Sequence, residues 1–146
     1  MNNLSIALKI CDFKFDHEFL TNLLGIVPTD IHKEGFEYEY GSPLNKIIKK
    51  YESNYWEYRI HVKRNSVWIK TIIDKFVEEV IFNKIKAFES IKNLSYVELY
   101  IGVYFDTSSG LDSFHFDHQL IKLFSELNIE IDIDQYIVNL TEPDTP

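Results

Sequence analysis

The sequence predicts an α+β fold, a mainly antiparallel sheet with helices on one face. Three observations carry that expectation. Segments whose apolar residues alternate every second position are interleaved with segments whose apolar residues recur at i, i+3 and i+4. The order is β-α-β-β-α-β followed by β-α-β, and the first six elements match a ferredoxin-like split βαβ layout. The 146 residues are 45% hydrophobic and 15% aromatic, enough for one core closed without disulfide or metal, because a chain this long buries roughly 68–70% of its unfolded surface.

Leu4, Ile6, Leu8 and Ile10 alternate with Ser5, Ala7 and Lys9, the pattern of a half-buried first strand. Asp16 stands where a helix N-cap belongs, Leu20, Leu23 and Leu24 follow at helical spacing, and Gly25 ends that short helix. Gly35 marks a turn into a second strand with Phe36, Tyr38 and Tyr40 on one side. Residues 41–54 read as an irregular connection containing the cluster Lys46, Lys49 and Lys50. Trp56, Tyr58, Ile60 and Val62 alternate with Glu57, Arg59 and His61 in a third strand.

After an Asn65-Ser66 turn, one long helix is expected over residues 68–92, with Ile69, Ile73, Phe76 and Val80 as its buried stripe. Tyr96–Phe105 is a strand with Val97, Leu99, Ile101 and Val103 on one face and Tyr96, Tyr100 and Tyr104 on the other. Apolar character on both faces places it centrally in the sheet. Thr107–Gly110 turns the chain, Phe114 and Phe116 suggest a short strand, and Asp117 caps a third helix carrying Leu120, Ile121, Phe124 and Leu127. Ile129, Ile131 and Ile133 then alternate with Glu130, Asp132 and Asp134. Residues 1–140 read as a single α+β domain and 141–146 as a polar tail.

Charge narrows the function classes. Residues 1–105 hold 14 acidic and 14 basic side chains, whereas residues 106–146 hold nine acids against Lys122 alone, so the net charge of −8 lies in the last 41 residues. Nucleic acid is excluded as the expected partner, because phosphate binding needs Lys and Arg. The acidic third suits a basic protein partner, through Asp112, Asp117, Glu130, Asp132 and Asp134. A solvated face that keeps the chain dispersed is the plainer account. No apolar run is long enough for a membrane span. The N-terminus lacks signal-peptide character, and Cys11 is the one cysteine, so a reducing cytoplasm is expected.

Several constellations contain residue types suited to chemistry. His115-Phe116-Asp117-His118 supplies metal-ligand side chains, but the two histidines straddle a strand-to-helix junction and Asp117 is already accounted for as a cap. No metal or other cofactor is expected. Asp132 and Asp134 point to one side of their strand about 6.5–7 Å apart, a spacing compatible with acid–base work but equally that of an exposed strand face. Cys11 has no local histidine partner and reads as a buried thiol. No phosphate-binding glycine loop, Gly-x-Ser-x-Gly elbow or Cys-x-x-Cys pair occurs. No catalytic residue is assigned.

Three markers taken in order resemble a known family. A short helix ends in Leu23-Leu24-Gly25-Ile26 before Pro28-Thr29. Gly35 is followed by Trp56 heading a strand. Phe114-His115-Phe116-Asp117 leads a helix, and the chain closes with Ile131-Asp132-Ile133-Asp134 and Tyr136. Together these resemble the bacterial domain of unknown function 4279 family over about residues 4–137. The resemblance transfers no catalytic residues; it implies a small immunity-type or accessory protein. The favoured function is therefore a protein-binding domain that occludes a basic partner such as a toxin. The alternatives are a small enzyme or metal-binding domain centred on His115, Asp117 and His118, and a small-molecule binder using the Tyr96/Tyr100/Tyr104 face.

Overall fold

The computed structural model describes residues 2–64, 68–105 and 115–137. Its elements are β1 (Asn2–Cys11), α1 (His17–Leu24), β2 (Asp30–His32), β3 (Glu37–Ser42), β4 (Asn45–Lys50), β5 (Tyr55–Arg64), α2 (Ile69–Val80), α3 (Ile85–Ile91), β6 (Tyr96–Phe105), α4 (His118–Leu127) and β7 (Ile129–Ile137). Five strands form one sheet in the order β2-β5-β1-β6-β7, and β3 and β4 form a separate two-stranded ribbon. All neighbours in the large sheet are antiparallel except β6 and β7, which run parallel around the α4 crossover.

Strand periodicity decides which residues meet the helices. Leu4, Ile6, Leu8 and Ile10 of β1 share a face with Trp56 of β5 and with Val97, Leu99, Ile101 and Val103 of β6, all of them buried. Against that face lie Leu20 and Leu24 of α1, the Ile69/Ile73/Phe76/Val80 stripe of α2, Phe88 and Ile91 of α3, and Leu120, Phe124 and Leu127 of α4. Trp56 is fully buried and its indole donates to Thr21 Oγ1 at 3.2 Å. His17, on the first turn of α1, sets its Nε2 2.7 Å from the carbonyl of His32 and 3.0 Å from that of Tyr55. Both neighbours only accept, so Nε2 carries the proton, and the ring fastens α1 to β2 and β5.

Five sequence expectations are corrected. The second strand of the sheet is the three-residue β2; the Phe36–Tyr40 stretch lies instead at the start of the separate ribbon. Three residues are too few to show a period, and β2 is held by pairing rather than by pattern: Thr29 N donates to the Glu57 carbonyl at 2.7 Å, and Arg59 N donates to Thr29 Oγ1 at 3.0 Å. Residues 41–54 are not wholly irregular: β4 pairs with β3 through a turn at Pro43 and Leu44, which leaves only that turn and 51–54 outside strands. Gly41, opposite Lys46 in that ladder, has a φ of +111° in the glycine-favoured region.

The long helix is broken after Val80 by a 3₁₀ turn at Phe82–Lys84. A straight continuation would carry the buried stripe through Asn83 and Lys84; the tighter turn moves these polar residues outward and brings Ile81 and Phe88 fully inside. Asp16 occupies the N-cap position of α1 without a side-chain capping bond, unlike Asp117, whose carboxylate accepts from Leu120 N at 2.9 Å. Phe116 packs on the core outside any strand. Phe114, the turns at Asn65-Ser66 and Thr107–Gly110 and the 141–146 tail lie outside the described residues.

Phe76 is buried and stacks on Tyr58 at 6.0 Å between ring centroids. Phe76→Ala is expected to cost about 3–5 kcal/mol, through lost transfer energy plus the cavity left behind. Urea denaturation measures this, and an unchanged midpoint would show that α2 does not pack as described.

Candidate functional site

The helices cover one side of the sheet, and the side chains of the other side fall into rows set by strand register. One row runs Asp30, Glu57, Lys9, Glu98 and Glu130; the next Arg59, Ala7, Tyr100 and Asp132; the next His61, Ser5, Gly102 and Asp134; the last Lys63, Asn3, Tyr104 and Tyr136. The tyrosines of β6 and the acids of β7, read from the sequence as separate candidates, are therefore cross-strand neighbours on one surface. Tyr96 joins them directly, its hydroxyl lying 2.9 Å from Glu98 Oε2 and 3.1 Å from Glu130 Oε2.

The centre of this surface is closed by its own side chains. Arg59 donates to both oxygens of Glu57 at 2.6 and 2.8 Å and to Ser5 Oγ at 2.9 Å, and the Tyr55 hydroxyl donates to Glu57. Burial works against the Glu57 carboxylate, yet the bonds from Arg59 and Tyr55 and the guanidinium charge outweigh it and hold its carboxyl below the ordinary range. Tyr100 lies across Gly102, where an added Cβ would stand 2.8 Å from the Tyr100 hydroxyl. Lys9 and Arg59 stack on the Tyr100 ring, at 4.1 and 4.9 Å from its centroid. Lys9 also pairs with Glu98 at 2.6 Å. Burial, then the bond with Glu57, raises the pKa of Tyr55; burial, then the neighbouring Tyr136 hydroxyl, raises that of Tyr100; burial, then the bond with Glu98, raises that of Tyr96.

Toward β7 the surface changes character. The Tyr136 hydroxyl donates to Asp134 at 2.9 Å and lies 3.4 Å from the Tyr100 hydroxyl, while the Tyr104 and Tyr136 rings stack at 4.8 Å. Among the described residues no basic side chain pairs with Glu130, Asp132 or Asp134. Carboxylates at alternate positions of a strand stand about 6.5–7 Å apart, matching alternate side chains of an extended basic segment. Beside them are tyrosine rings of the kind that Lys9 and Arg59 already use as cation platforms.

The remaining candidates lie elsewhere. Asp117 caps α4, and the backbone N–H of Leu120 foremost holds its carboxyl below the ordinary range. His115 and His118 are exposed at the same junction. Among the described residues no group of three or more His, Cys, Asp or Glu side chains is arranged to hold a metal ion. Asp112 lies outside the described residues. Cys11 is only half buried, on the helix-free face between Tyr55 and Tyr96. Burial, reinforced by Asp12 and Glu98, pushes its thiol up to about 11.

Sequence reasoning missed Lys9, Glu57, Arg59, Glu98 and Tyr136. The available signals were a glycine inside a strand at Gly102 and opposite charges two residues apart at Glu57 and Arg59. It also missed a ladder of stacked rings, Tyr55, His32, Tyr51 and Tyr38, with successive centroids 5.1, 4.2 and 4.4 Å apart, which connects the sheet to the β3–β4 ribbon.

Residues 2–138 match the family described as Domain of unknown function (DUF4279), and the chain belongs to that family. No curated protein and no solved structure matches it.

Two expectations follow from this geometry. Glu57→Gln leaves Arg59 with an uncompensated charge and should cost about 3–5 kcal/mol at neutral pH. The carboxyl is depressed in the folded state, so its contribution is complete above the ordinary value of 4.5 and is lost as pH falls through the folded value. Urea titrations should therefore show the gap between wild type and variant narrowing on acidification. Cys11, near 11 rather than the ordinary 9.0, should hold about a hundredfold less thiolate at pH 8 than an ordinary cysteine, and its alkylation rate should be correspondingly low.

Proposed function

We propose that this member of the family is a protein-docking domain whose helix-free face receives a basic partner between the β7 acids and the β6 tyrosines. One observation carries the reading: Glu130, Asp132 and Asp134 lie beside Tyr96, Tyr100 and Tyr104 on a single surface while Lys9 with Glu98 and Arg59 with Glu57 are matched at its centre. Such a surface recognises by complementary charge and ring stacking, with no reaction required. An immunity-type role, occluding the basic face of a toxin, is the finer form of this reading. The strand order β2-β5-β1-β6 suits it as a ferredoxin-like platform extended by α4 and β7. A second reading, small-molecule binding, is favoured by a cavity of about 350 Å³ beside Tyr104, lined by Asn3, His61, Val62 and Lys63.

Photo-crosslinkers placed at Tyr104 and, on the helical side, at exposed Ile121 separate these readings in the native cell. A basic protein captured from Tyr104 alone, and lost in Asp132→Lys/Asp134→Lys, is the expected result. The same protein binding wild type and variant equally at low and high salt would reduce the acids to a solvated face, because screening over about 8 Å governs exposed charges.

A further inference from the structure

We propose that the resident occupant of this face is the β3–β4 ribbon of a second copy of the chain, exchanged across a two-fold axis. The inference rests on the docking reading above and names what covers the face when no foreign basic partner is bound. The ribbon strands pair only with each other, and every residue of β4 and all of β3 except Tyr38 are exposed. A two-stranded ribbon alone is marginal in water, yet this one displays Tyr40, Leu44, Ile47 and Ile48 at 59, 94, 55 and 66% exposure. Apolar surface gathered on a projecting element marks an interaction site.

The chemistry of the ribbon complements β7. The strand β4 carries Lys46, Lys49 and Lys50, with Ile47 and Ile48 between them and no acid. The strand β7 carries Glu130, Asp132 and Asp134 with Ile131 and Ile133 between them and no base. The pairs Lys46–Glu39 at 2.5 Å and Lys50–Glu37 at 3.7 Å are exposed, the kind of ion pair that adds little and exchanges readily. Lys49 lies over the Tyr40 ring at 4.7 Å.

Within one copy the two surfaces stay apart. The ribbon follows β2, at the sheet edge opposite β7, and four strand spacings separate those edges by about 19 Å. Self-pairing of β7 is disfavoured, since β7 on β7 sets acid against acid. Ribbon on β7 sets lysine against carboxylate on the helix-free face, where Glu130, Asp132 and Asp134 stand, while Ile131 and Ile133 turn to the helical side. A two-fold exchange forms that contact twice and closes.

Sedimentation velocity on three proteins tests this: the wild type, a Lys46→Glu/Lys49→Glu/Lys50→Glu variant, and a Glu130→Lys/Asp132→Lys/Asp134→Lys variant. Circular dichroism checks that each is folded. The wild type is expected to be a dimer that dissociates with added salt. Each variant alone should be a monomer, and an equimolar mixture of the two should recover a dimer, because glutamate ribbons then meet lysine faces and the reverse. A wild type that stays monomeric at sub-millimolar concentration overturns the exchange while leaving the face free for a foreign basic protein. Dimers that persist in both separate variants, or variants that fail to recombine, also overturn it. Crosslinking from Tyr104 tests the docking reading independently.

Discussion

The arrangement of this molecule depends on β1 being buried on both sides. Leu4, Ile6, Leu8 and Ile10 fill the helical side, while the other side holds small residues, Ser5 and Ala7, both fully buried. Larger residues there would prevent Tyr100 and Arg59 from lying flat across the sheet. Because the positions are small, the Tyr100 ring folds over Gly102 between Lys9 and Arg59, and Arg59 reaches Ser5 and Glu57 together. A polar layer with matched charges thus takes the place of a second layer of helices.

That layer divides the helix-free face. Over β5, β1 and β6, Glu57 and Arg59 neutralise one another, as do Lys9 and Glu98. Over β7 the carboxylates have no basic neighbour among the described residues. Desolvating a matched pair is costly and its internal attraction only partly compensates, so such a centre gives little to a partner. The exposed edge retains long-range attraction at small desolvation cost. The functional asymmetry of the surface therefore follows from which strand lies outermost.

The helical side provides rigidity. His17 ties the start of α1 to β2 and β5, and Trp56 reaches Thr21 on the same helix. The break after Val80 allows α2 and α3 each to present an apolar stripe although Asn83 and Lys84 interrupt the period. With the sheet held from that side, the rows opposite keep the register on which recognition depends. No helix among the described residues is long and apolar enough to cross a membrane.

Local pattern made much of this legible. Alternation identified β1, β5, β6 and β7 and the faces of their side chains; helical spacing identified the buried stripe of α2; and Asp117 announced its own capping role. The tyrosines of β6 and the acids of β7 were recognisable as candidates because their spacing alone places each set on one side of its strand. Pairing was not legible. That β7 lies parallel to β6, merging the two sets into one surface, depends on the α4 crossover, and that β5 and β6 flank β1 depends on contacts far apart in sequence. The three-residue β2 and the strand β4 escaped for the same reason, and β3, legible as a strand from Tyr38 and Tyr40, did not reveal that it pairs outside the main sheet. Sequence by itself determined which residues could face one another, because strand and helix periods are local. Tertiary structure decided which of them do, because hydrogen-bonded register is a long-range choice.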